Sequence, residues 1–284
     1  MEPGSGRANI GAHMKLERRP LGPGPNSPLV APLGLAGSYG LDADGVERAY
    51  HEWGINYFFV TMKMKPMIEG IKRLIAAGHR DDLVICSGAS IPTGSGVKSA
   101  FEKAAKTLGT DRIDVFQVFW VQYHWYVTGK TWPAMRELKE SGKVGKLGVS
   151  IHDRVMARKL GDELGLDLLM IRYNAAHRGA EKEIFATLPE QRPAIVAYTA
   201  TRWGKLLQPV KGLGPMSAEE CYRFPISNPN VDLVLCGPKT YDELAIDAAG
   251  VAKGPLPESR LGEVKTFGDA VRSTATGTLG FAGI

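Results

Sequence analysis

The stretch LKESGKVGKLGVS, residues 138–150, decides the fold of this sequence. Its first half is amphipathic and stops at Gly142, which is typical of a helix that ends at a glycine. Its second half, from Val144 onward, is a short and mostly apolar run that predicts a buried strand. A helix joined to a strand by a short turn is one repeating step of a parallel α/β fold.

The same step recurs along the whole chain, because eight short apolar runs alternate with longer amphipathic ones. The predicted strands are SPLVAPLGLA, INYFFVTM, DLVICSGA, IDVFQVFWV, VGKLGVSI, LDLLMIRYN, AIVAYTA and VDLVLCG. Asp42 and Ser217 are helix-start residues, and Gly78, Gly109 and Gly165 stand where helices should end. Repeated βα units require parallel strands with right-handed crossovers, so we predict one (β/α)8 TIM barrel of the α/β class.

An open doubly wound sheet is the alternative topology. It is disfavoured because no GxGxxG fingerprint follows the first predicted strand. The glycine-rich run GPGPN, residues 22–26, precedes that strand and is interpreted as a loop.

Composition excludes several classes of function. The chain has 284 residues, 44% of them hydrophobic, which is enough for one large core. Its net charge is +5 with dispersed bases, which favours a small anionic ligand over a nucleic acid. No run of 18 apolar residues is present, so no membrane partner is expected. Three cysteines without metal-type spacing favour a reduced cytoplasm and no metal site.

The N-terminal segment, residues 1–26, is predicted to be a disordered leader or tag, with the barrel spanning residues 27–284. GAHM, residues 11–14, resembles an expression scar, with Met14 as the natural first residue. The C-terminal tail is expected to pack over the barrel.

Chemistry in such barrels lies at the C-terminal ends of the strands, which turns the strand assignment into a set of candidate residues. These candidates share one property, which is that each stands at or just after the end of a predicted strand. They are Val60, Thr61, Met62, Lys63, Cys86, Ser87, Gly88, Phe119, Trp120, Gln122, Tyr123, His124, Ser150, His152, Asp153, Arg172, Tyr173, Asn174, Tyr198, Thr199, Thr201, Arg202, Cys236, Gly237, Lys239 and Thr240.

Six segments, taken in order, resemble the aldo-keto reductase family. They are GINYFF, TDRIDVFQVFW, LKESGKVGKLGVS, IRYNAAHRGAEKEIF, AYTATRWGKLL and VDLVLCGPKTYDEL. The resemblance implies NADPH-dependent reduction of aldehydes or ketones on a (β/α)8 barrel. It also implies four active-site residues, namely an acid tyrosine, a lysine, an aspartate and a histidine.

None of these four residues is retained at the matching positions. Phe59 replaces the aspartate, Met64 the tyrosine, Ser87 or Gly88 the lysine, and Phe119 the histidine. Hydride transfer to a carbonyl produces an alkoxide that must be protonated or stabilised by charge. The resemblance therefore implies a non-standard proton-donor site.

Two segments offer replacements. In QYHWY, Tyr123 and His124 can form a proton-donor pair, or the aromatic loop closes the pocket by packing alone. Such a loop favours a bulky apolar or aromatic substrate. Lys63 and Lys65 can act as an acid, a base or a Schiff-base amine, or they lie in solvent at the start of the next helix.

The cofactor segments are better matched, and they imply NADP (NADPH). Tyr198 resembles the residue that stacks on the nicotinamide, Lys205 is a further cation, and the last strand carries an adenosine-phosphate grip. The implied cofactor-binding residues are Ser150, Asn174, Tyr198, Thr199, Arg202, Gly237, Lys239 and Thr240. The alternative is that LCGPKT is only a strand-to-helix turn.

Two further residues have two interpretations each. Arg172 can bind a substrate carboxylate, or it braces its loop by pairing with Glu181 or Glu183. Asp153 is expected to cap the next helix.

The leading hypothesis is a cytoplasmic, NADP-dependent, aldo-keto-reductase-like oxidoreductase acting on a bulky carbonyl compound, as a monomer or homodimer. The first alternative is a non-redox lyase, isomerase or aldol-type enzyme on the same barrel. The second is a catalytically inactive nicotinamide-binding protein.

Overall fold

A closed parallel barrel forms the centre of the molecule, as the sequence predicts. A computed structural model describes residues 15–37 and 39–274. A short hairpin, β1 Arg19–Pro20 with β2 Leu29–Val30, precedes the barrel. The barrel strands are β3 Leu33–Ala36, β4 Tyr57–Phe59, β5 Val84–Ala89, β6 Ile113–Val121, β7 Val144–Ile151, β8 Leu168–Arg172, β9 Ala194–Tyr198 and β10 Leu233–Cys236.

Helices follow the strands and form the outer layer. The α-helices are α1 Ala43–Trp53, α2 Lys65–Ala76, α3 Gly94–Leu108, α4 Trp125–Thr128, α5 Thr131–Glu140, α6 Arg154–Leu164, α7 Ala180–Glu183, α8 Ala218–Ile226, α9 Tyr241–Ala252 and α10 Glu258–Ser273. Short 3-10 helices occur at Arg80–Asp82, Phe185–Thr187 and Lys205–Leu207. Each strand pairs with its neighbours in the order of the chain, and β10 closes on β3, so the expectation of a (β/α)8 barrel is confirmed.

The helix boundaries follow local chemistry. The Asp42 carboxylate accepts from the backbone N–H of Gly45, and Asp153 accepts from Met156 N in the same way. Ser217 forms a reciprocal capping box with Glu220. The expected roles of Asp42, Asp153 and Ser217 as helix caps are therefore confirmed.

The N-terminal hairpin differs from the prediction of a disordered leader that reaches residue 26. Leu21 is fully buried, and the Arg19 guanidinium donates to the backbone oxygens of Val231 and Asp232 beside β10. The prediction is wrong for residues 15–26, because composition alone does not reveal that two leucines, Leu16 and Leu21, anchor a proline-rich segment to a core. Residues 1–14 lie outside the described part of the chain.

The C-terminal helix α10 packs beside the mouth of the barrel. Arg202 donates to the backbone oxygen of Val271, and Arg178 donates to that of Lys265. Gly268 lies against the backbone of Ala175, where a Cβ atom would clash with the carbonyl oxygen. The expected packing of the C-terminal region is observed for α10, and residues 275–284 lie outside the described residues.

Two further expectations concern partners and redox state. Within residues 15–37 and 39–274, no helix is both long enough and apolar enough to cross a membrane. Cys86, Cys221 and Cys236 are all free and buried. In the same ranges, no group of three or more acidic, histidine or cysteine side chains is arranged to hold a metal ion.

The side chain of Asn56 joins the hairpin to the barrel, so its removal should destabilise the fold. The side chain is 1% exposed; its oxygen accepts from Ala31 N, and its nitrogen donates to the backbone oxygens of Leu29 and Asp82. We expect Asn56→Ala to lower the free energy of unfolding by about 2–4 kcal/mol, because buried partners lose their bonds. Urea unfolding measures this change.

The exposed Gln208 provides the matched control, and Gln208→Ala should change the free energy of unfolding by less than about 0.5 kcal/mol. Equal stabilities of the two variants would contradict the role assigned to Asn56.

Candidate active site

The C-terminal ends of β4, β5 and β6 carry an apolar cluster. The rings of Phe59 and Phe119 lie with their centroids 5.3 Å apart, and Phe119 continues to Trp120 at 5.7 Å. Gly88 faces the same ring, because a Cβ at this position would be 2.9 Å from Phe119 Cε1. Phe59, Gly88 and Phe119 therefore meet, as residues at one site should, but they bring no ionisable group.

The remaining two matching positions are also without an available proton. Met64 is buried, and its sulfur accepts from Thr61 N at 3.5 Å. Ser87 is buried, and its hydroxyl donates to the backbone oxygen of Val60 at 2.9 Å. Ser87 is therefore used in holding two strands together.

The C-terminal ends of β7, β8 and β9 carry a polar cluster, which consists of His152, Arg172 and Tyr198. The Tyr198 hydroxyl lies 2.8 Å from His152 Nδ1. Arg172 pairs in register with Tyr198, and Ile151 pairs with Ile171, so His152 and Arg172 follow each other on adjacent strand ends. The mouth is thus divided into an apolar side and a polar side.

The local electrostatics set the protonation states of this polar cluster. Burial raises the pKa of the Tyr198 phenol, so it stays protonated at neutral pH. Partial burial, together with the nearby Arg172 charge, lowers the pKa of His152 below its ordinary value, so its ring is neutral at neutral pH. Tyr198 can therefore donate to Nδ1, and in that tautomer Nε2 of His152 carries the hydrogen.

Arg172 has no acidic partner in the described part of the chain. Its Nε atom is buried without a hydrogen-bond acceptor, and its guanidinium carbon lies 5.9 Å from the centre of the Trp203 ring. The alternative that Arg172 braces its loop through a glutamate is wrong. Glu181 instead accepts from Tyr173, and Glu183 pairs with Arg154.

The loop after β9 has an unusual backbone. Thr199, Arg202 and Trp203 have φ angles of 57°, 51° and 52°, which is the left-handed region that costs energy for residues with a side chain. Asn174 holds this loop, because its side-chain nitrogen donates to the Thr199 backbone oxygen at 2.8 Å. Such strain is concentrated at functional sites in folded proteins.

Asn174 and Arg202, two residues expected to bind the cofactor, instead make hydrogen bonds within the protein. The Asn174 side-chain oxygen accepts from Ala176 N, and the residue is 1% exposed. Arg202 is 6% exposed and donates to Val271 O, so it braces α10. Ser150 is buried behind the polar cluster, and Lys205 is exposed on the same loop as Arg202.

The segment after β10, which was expected to hold an adenosine phosphate, presents mixed charge. The Tyr39 ring covers Gly237, where a Cβ would be 2.5 Å from a ring carbon. The Lys239 backbone N–H donates to Glu243, and Thr240 caps α9 through Glu243 N. A cavity of about 210 Å³ lies nearby, lined by residues that include Gly37, Met67 and Pro238.

Comparison with known proteins agrees with this geometry. A sequence model of the Aldo/keto reductase family matches residues 59–220. The chain belongs to the aldo-keto reductase family. Members of this family use nicotinamide cofactors and act on small molecules. A search of curated protein sequences found no significant match.

Solved structures share the fold. An aldo-keto reductase from Bacillus halodurans, in its holo form, is 19% identical with a TM-score of 0.75 over 89% of this chain and 96% of that one. A protein from Pseudomonas aeruginosa, described as an aldo-keto reductase, is 20% identical with a TM-score of 0.70 over 86% of this chain and 98% of that one. At such identities the likeness shows the fold alone.

The proton donors predicted in QYHWY do not join the polar cluster. His124 Nε2 lies 2.7 Å from a Glu163 carboxylate oxygen on helix α6. Tyr123 is 54% exposed and stacks on Trp125, and the loop continues into the short helix α4. These contacts match the alternative in which the segment packs as an aromatic loop.

The two lysines after β4 are both exposed. Lys63 is exposed on the turn before α2, and Lys65 is the exposed first residue of that helix. Neither has an ion pair in the described residues. Their interpretation as solvent-facing residues at a helix start fits the structure.

The Tyr198–His152 pair was missed in the sequence. Both residues were candidates, because each stands at a strand end, but they are 46 positions apart. The order of the strands could have indicated that these two residues lie near each other, since β7 and β9 are both neighbours of β8. Only the register shows that their side chains meet.

Restoring a side chain at position 88 should destabilise the protein, because a Cβ there clashes with the backbone oxygen of Gln117 and crowds Phe119. We expect Gly88→Ala to lower the free energy of unfolding by about 2 kcal/mol or more. Gly161→Ala is the matched control, since its Cβ would be 3.8 Å from the nearest atom, on Leu169. That change within α6 should be neutral or stabilising in chemical denaturation, and similar losses in both variants would contradict the clash.

His177 should make stability depend on pH. Burial, followed by the charges of four arginines, lowers the pKa of His177 from 6.5 to about 4. The unfolded imidazole takes up a proton near pH 6.5 and the folded one only near pH 4, so folding stability is lost as pH falls through this interval. His177→Gln should show a smaller loss of the free energy of unfolding between pH 7 and pH 4. An identical pH profile for the two proteins would contradict this assignment.

Proposed function

We propose that this protein is a nicotinamide-dependent oxidoreductase of a carbonyl substrate, in which His152 and Tyr198 replace the family's usual proton donor. One observation carries the proposal, which is the 2.8 Å contact between Tyr198 Oη and His152 Nδ1 at the ends of two barrel strands. A phenol and an imidazole in hydrogen-bond contact can relay a proton.

The residues at the polar side fit a nicotinamide cofactor. Ser150 supplies a buried hydroxyl group, and Tyr198 offers an aromatic ring. Such groups suit the ring and the polar substituents of a dinucleotide. When bound, the cofactor would supply or accept hydride.

The protein's own groups would handle the oxygen and the proton of the carbonyl. His152 donates from Nε2 to the carbonyl oxygen, because Tyr198 holds the ring in that tautomer. As negative charge develops on the oxygen, Nε2 gives up its proton while Nδ1 receives one from Tyr198.

The apolar side would receive the body of the substrate. Phe59, Phe119 and Trp120 offer adjoining rings, and Trp203 is 62% exposed beside the polar cluster. A bulky apolar or aromatic carbonyl compound buries its surface against such groups. The substrate class expected from the sequence is retained in this proposal.

The choice between NADPH and NADH depends on the segment after β10. Lys239 offers one positive charge to an adenosine phosphate, while Asp242 and Glu243 in the first turn of α9 oppose it. We therefore propose that NADPH, the cofactor expected from the sequence, binds without a large advantage over NADH. The buried free cysteines support a cytoplasmic setting, and a single barrel domain acting as a monomer or homodimer remains the expected assembly.

The second candidate function is a nicotinamide-binding protein without turnover. The observation that favours it is the apolar character of Phe59, Met64, Gly88 and Phe119 at the family's active-site positions. A Schiff-base enzyme is not favoured, because Lys63 and Lys65 are both exposed.

The role of His152 can be tested by its removal. We expect the wild-type protein to oxidise NADPH or NADH with an aromatic aldehyde or ketone, and His152→Asn to lower kcat/KM by about 100-fold or more. Cofactor affinity, from quenching of protein fluorescence, should change by less than about threefold, because the substitution removes a hydrogen-bond donor to the substrate.

His124→Asn is the control of the same residue type, since His124 is paired with Glu163 away from the polar cluster. It should retain wild-type kcat/KM. Cofactor binding without turnover across a carbonyl panel would support the second candidate, and a failure of both cofactors to bind would overturn both.

Cofactor preference gives an independent prediction. The dissociation constants of NADPH and NADH, measured by fluorescence titration, should lie within about tenfold of each other, because one cation faces two carboxylates. Lys239→Ala should weaken NADPH alone. A preference above about 100-fold for NADPH would contradict the assigned effect of Asp242 and Glu243.

A further inference from the structure

We infer that Arg172 binds a carboxylate of the substrate, and that the preferred substrates carry this carboxylate on the carbon next to the carbonyl, as in 2-oxo acids. This inference rests on the proposed function, because it assigns the group that lies beside the reacting carbonyl. The inference rests on the position of Arg172, which lies next to His152 at the end of the adjacent strand.

The first observation is an arginine without an acceptor. The Nε atom of Arg172 is buried and makes no hydrogen bond within the described residues, although an unpaired buried donor is costly. The guanidinium has a fork of donors that matches the two oxygens of a carboxylate. A bound carboxylate would therefore satisfy a donor that the fold leaves unsatisfied.

The second observation is an excess of positive charge at this side of the mouth. Burial, followed by the charges of Arg172, Arg202, Arg272 and Arg154, lowers the pKa of His177 to about 4, although Arg154 is itself paired with Glu183.

The nearby acids do not neutralise Arg172. Glu183 is paired with Arg154, and Glu181 accepts from the Tyr173 hydroxyl. The surplus charge attracts an anion and disfavours a cationic substrate.

The third observation sets the position of the carboxylate relative to the carbonyl. Ile151 pairs with Ile171, so His152 and Arg172 are the next residues on neighbouring strands, which lie about 4.8 Å apart. This short backbone separation favours a ligand whose two oxygen groups are on adjacent carbons. The donor at His152 Nε2 would take the keto oxygen, and the Arg172 fork would take the carboxylate.

An oxyanion at Arg172 can come from two sources, the substrate or the cofactor's pyrophosphate. We favour the substrate because Arg172 shares its end of the barrel with the proton-relay pair, whereas Lys205 and Lys211 are exposed cations on the connection after β9 that could serve the pyrophosphate. If the substrate supplies the oxyanion, kcat/KM for the acid depends on Arg172. If the pyrophosphate supplies it, the dissociation constant of the cofactor depends on Arg172.

The test uses phenylglyoxylate and its methyl ester, which differ in one negative charge. The wild-type full-length protein should turn over the acid with a kcat/KM about 10–100-fold above that of the ester, because the Arg172 bonds are charge-assisted. Arg172→Gln should abolish this preference, so that the acid and the ester give similar kcat/KM values, while the dissociation constant of the cofactor changes by less than about threefold. Arg172→Lys should restore part of the preference.

Arg136→Gln is the matched control, since Arg136 is exposed on α5 and pairs with Glu140. It should keep the wild-type ratio of acid to ester. If Arg172→Gln weakens the cofactor more than about tenfold and slows both substrates equally, the arginine serves the pyrophosphate and the inference is overturned. Equal kcat/KM values of the wild-type protein for the ester and the acid also overturn the inference.

Equilibrium binding separates this inference from the proposed function. Phenylglyoxylate should raise the melting temperature of the wild-type protein and not that of Arg172→Gln, whether or not turnover occurs. Binding that depends on Arg172 without turnover would support the carboxylate site and remove the oxidoreductase. Turnover of neutral ketones without binding of phenylglyoxylate would support the oxidoreductase and overturn the carboxylate site.

Discussion

The register between β7, β8 and β9 is the constraint on which the rest of the site depends. Ile151 pairs with Ile171, and Arg172 pairs with Tyr198, so three side chains from distant parts of the chain share one edge of the barrel. A shift of one residue in any of these strands would reverse the direction of every side chain along it. The phenol, the imidazole and the guanidinium would then no longer meet.

The other side of the mouth is filled by apolar packing. At Gly88, Phe119 and the Gln117 backbone fill the space into which a side chain would extend. Phe59 packs on the same ring. The apolar side is therefore a closely packed structure of its own, in which position 88 has no room for a side chain.

The sequence predicted the barrel well, because strand and helix periods and glycine stops are local properties. It predicted less of the site. The pairing of Tyr198 with His152 depends on strand register, and the freedom of Arg172 depends on where Glu181 and Glu183 find other partners. Such preferences among competing partners are decided by three-dimensional distance, which residue types do not reveal. The hairpin was missed for the same reason, since the burial of Leu21 depends on the open end of a barrel that forms later in the chain.

Gly268 is the point at which helix α10 comes closest to the backbone near the mouth. Because Gly268 lets the helix rest directly on the backbone of Ala175, the helix reaches the turn that follows β8 with no side chain between them. Any larger residue at 268 would lift the helix and with it the Val271 oxygen that anchors Arg202. A substitution at position 268 would thus alter the surroundings of the Arg202 loop from outside the barrel, without replacing a side chain of either cluster.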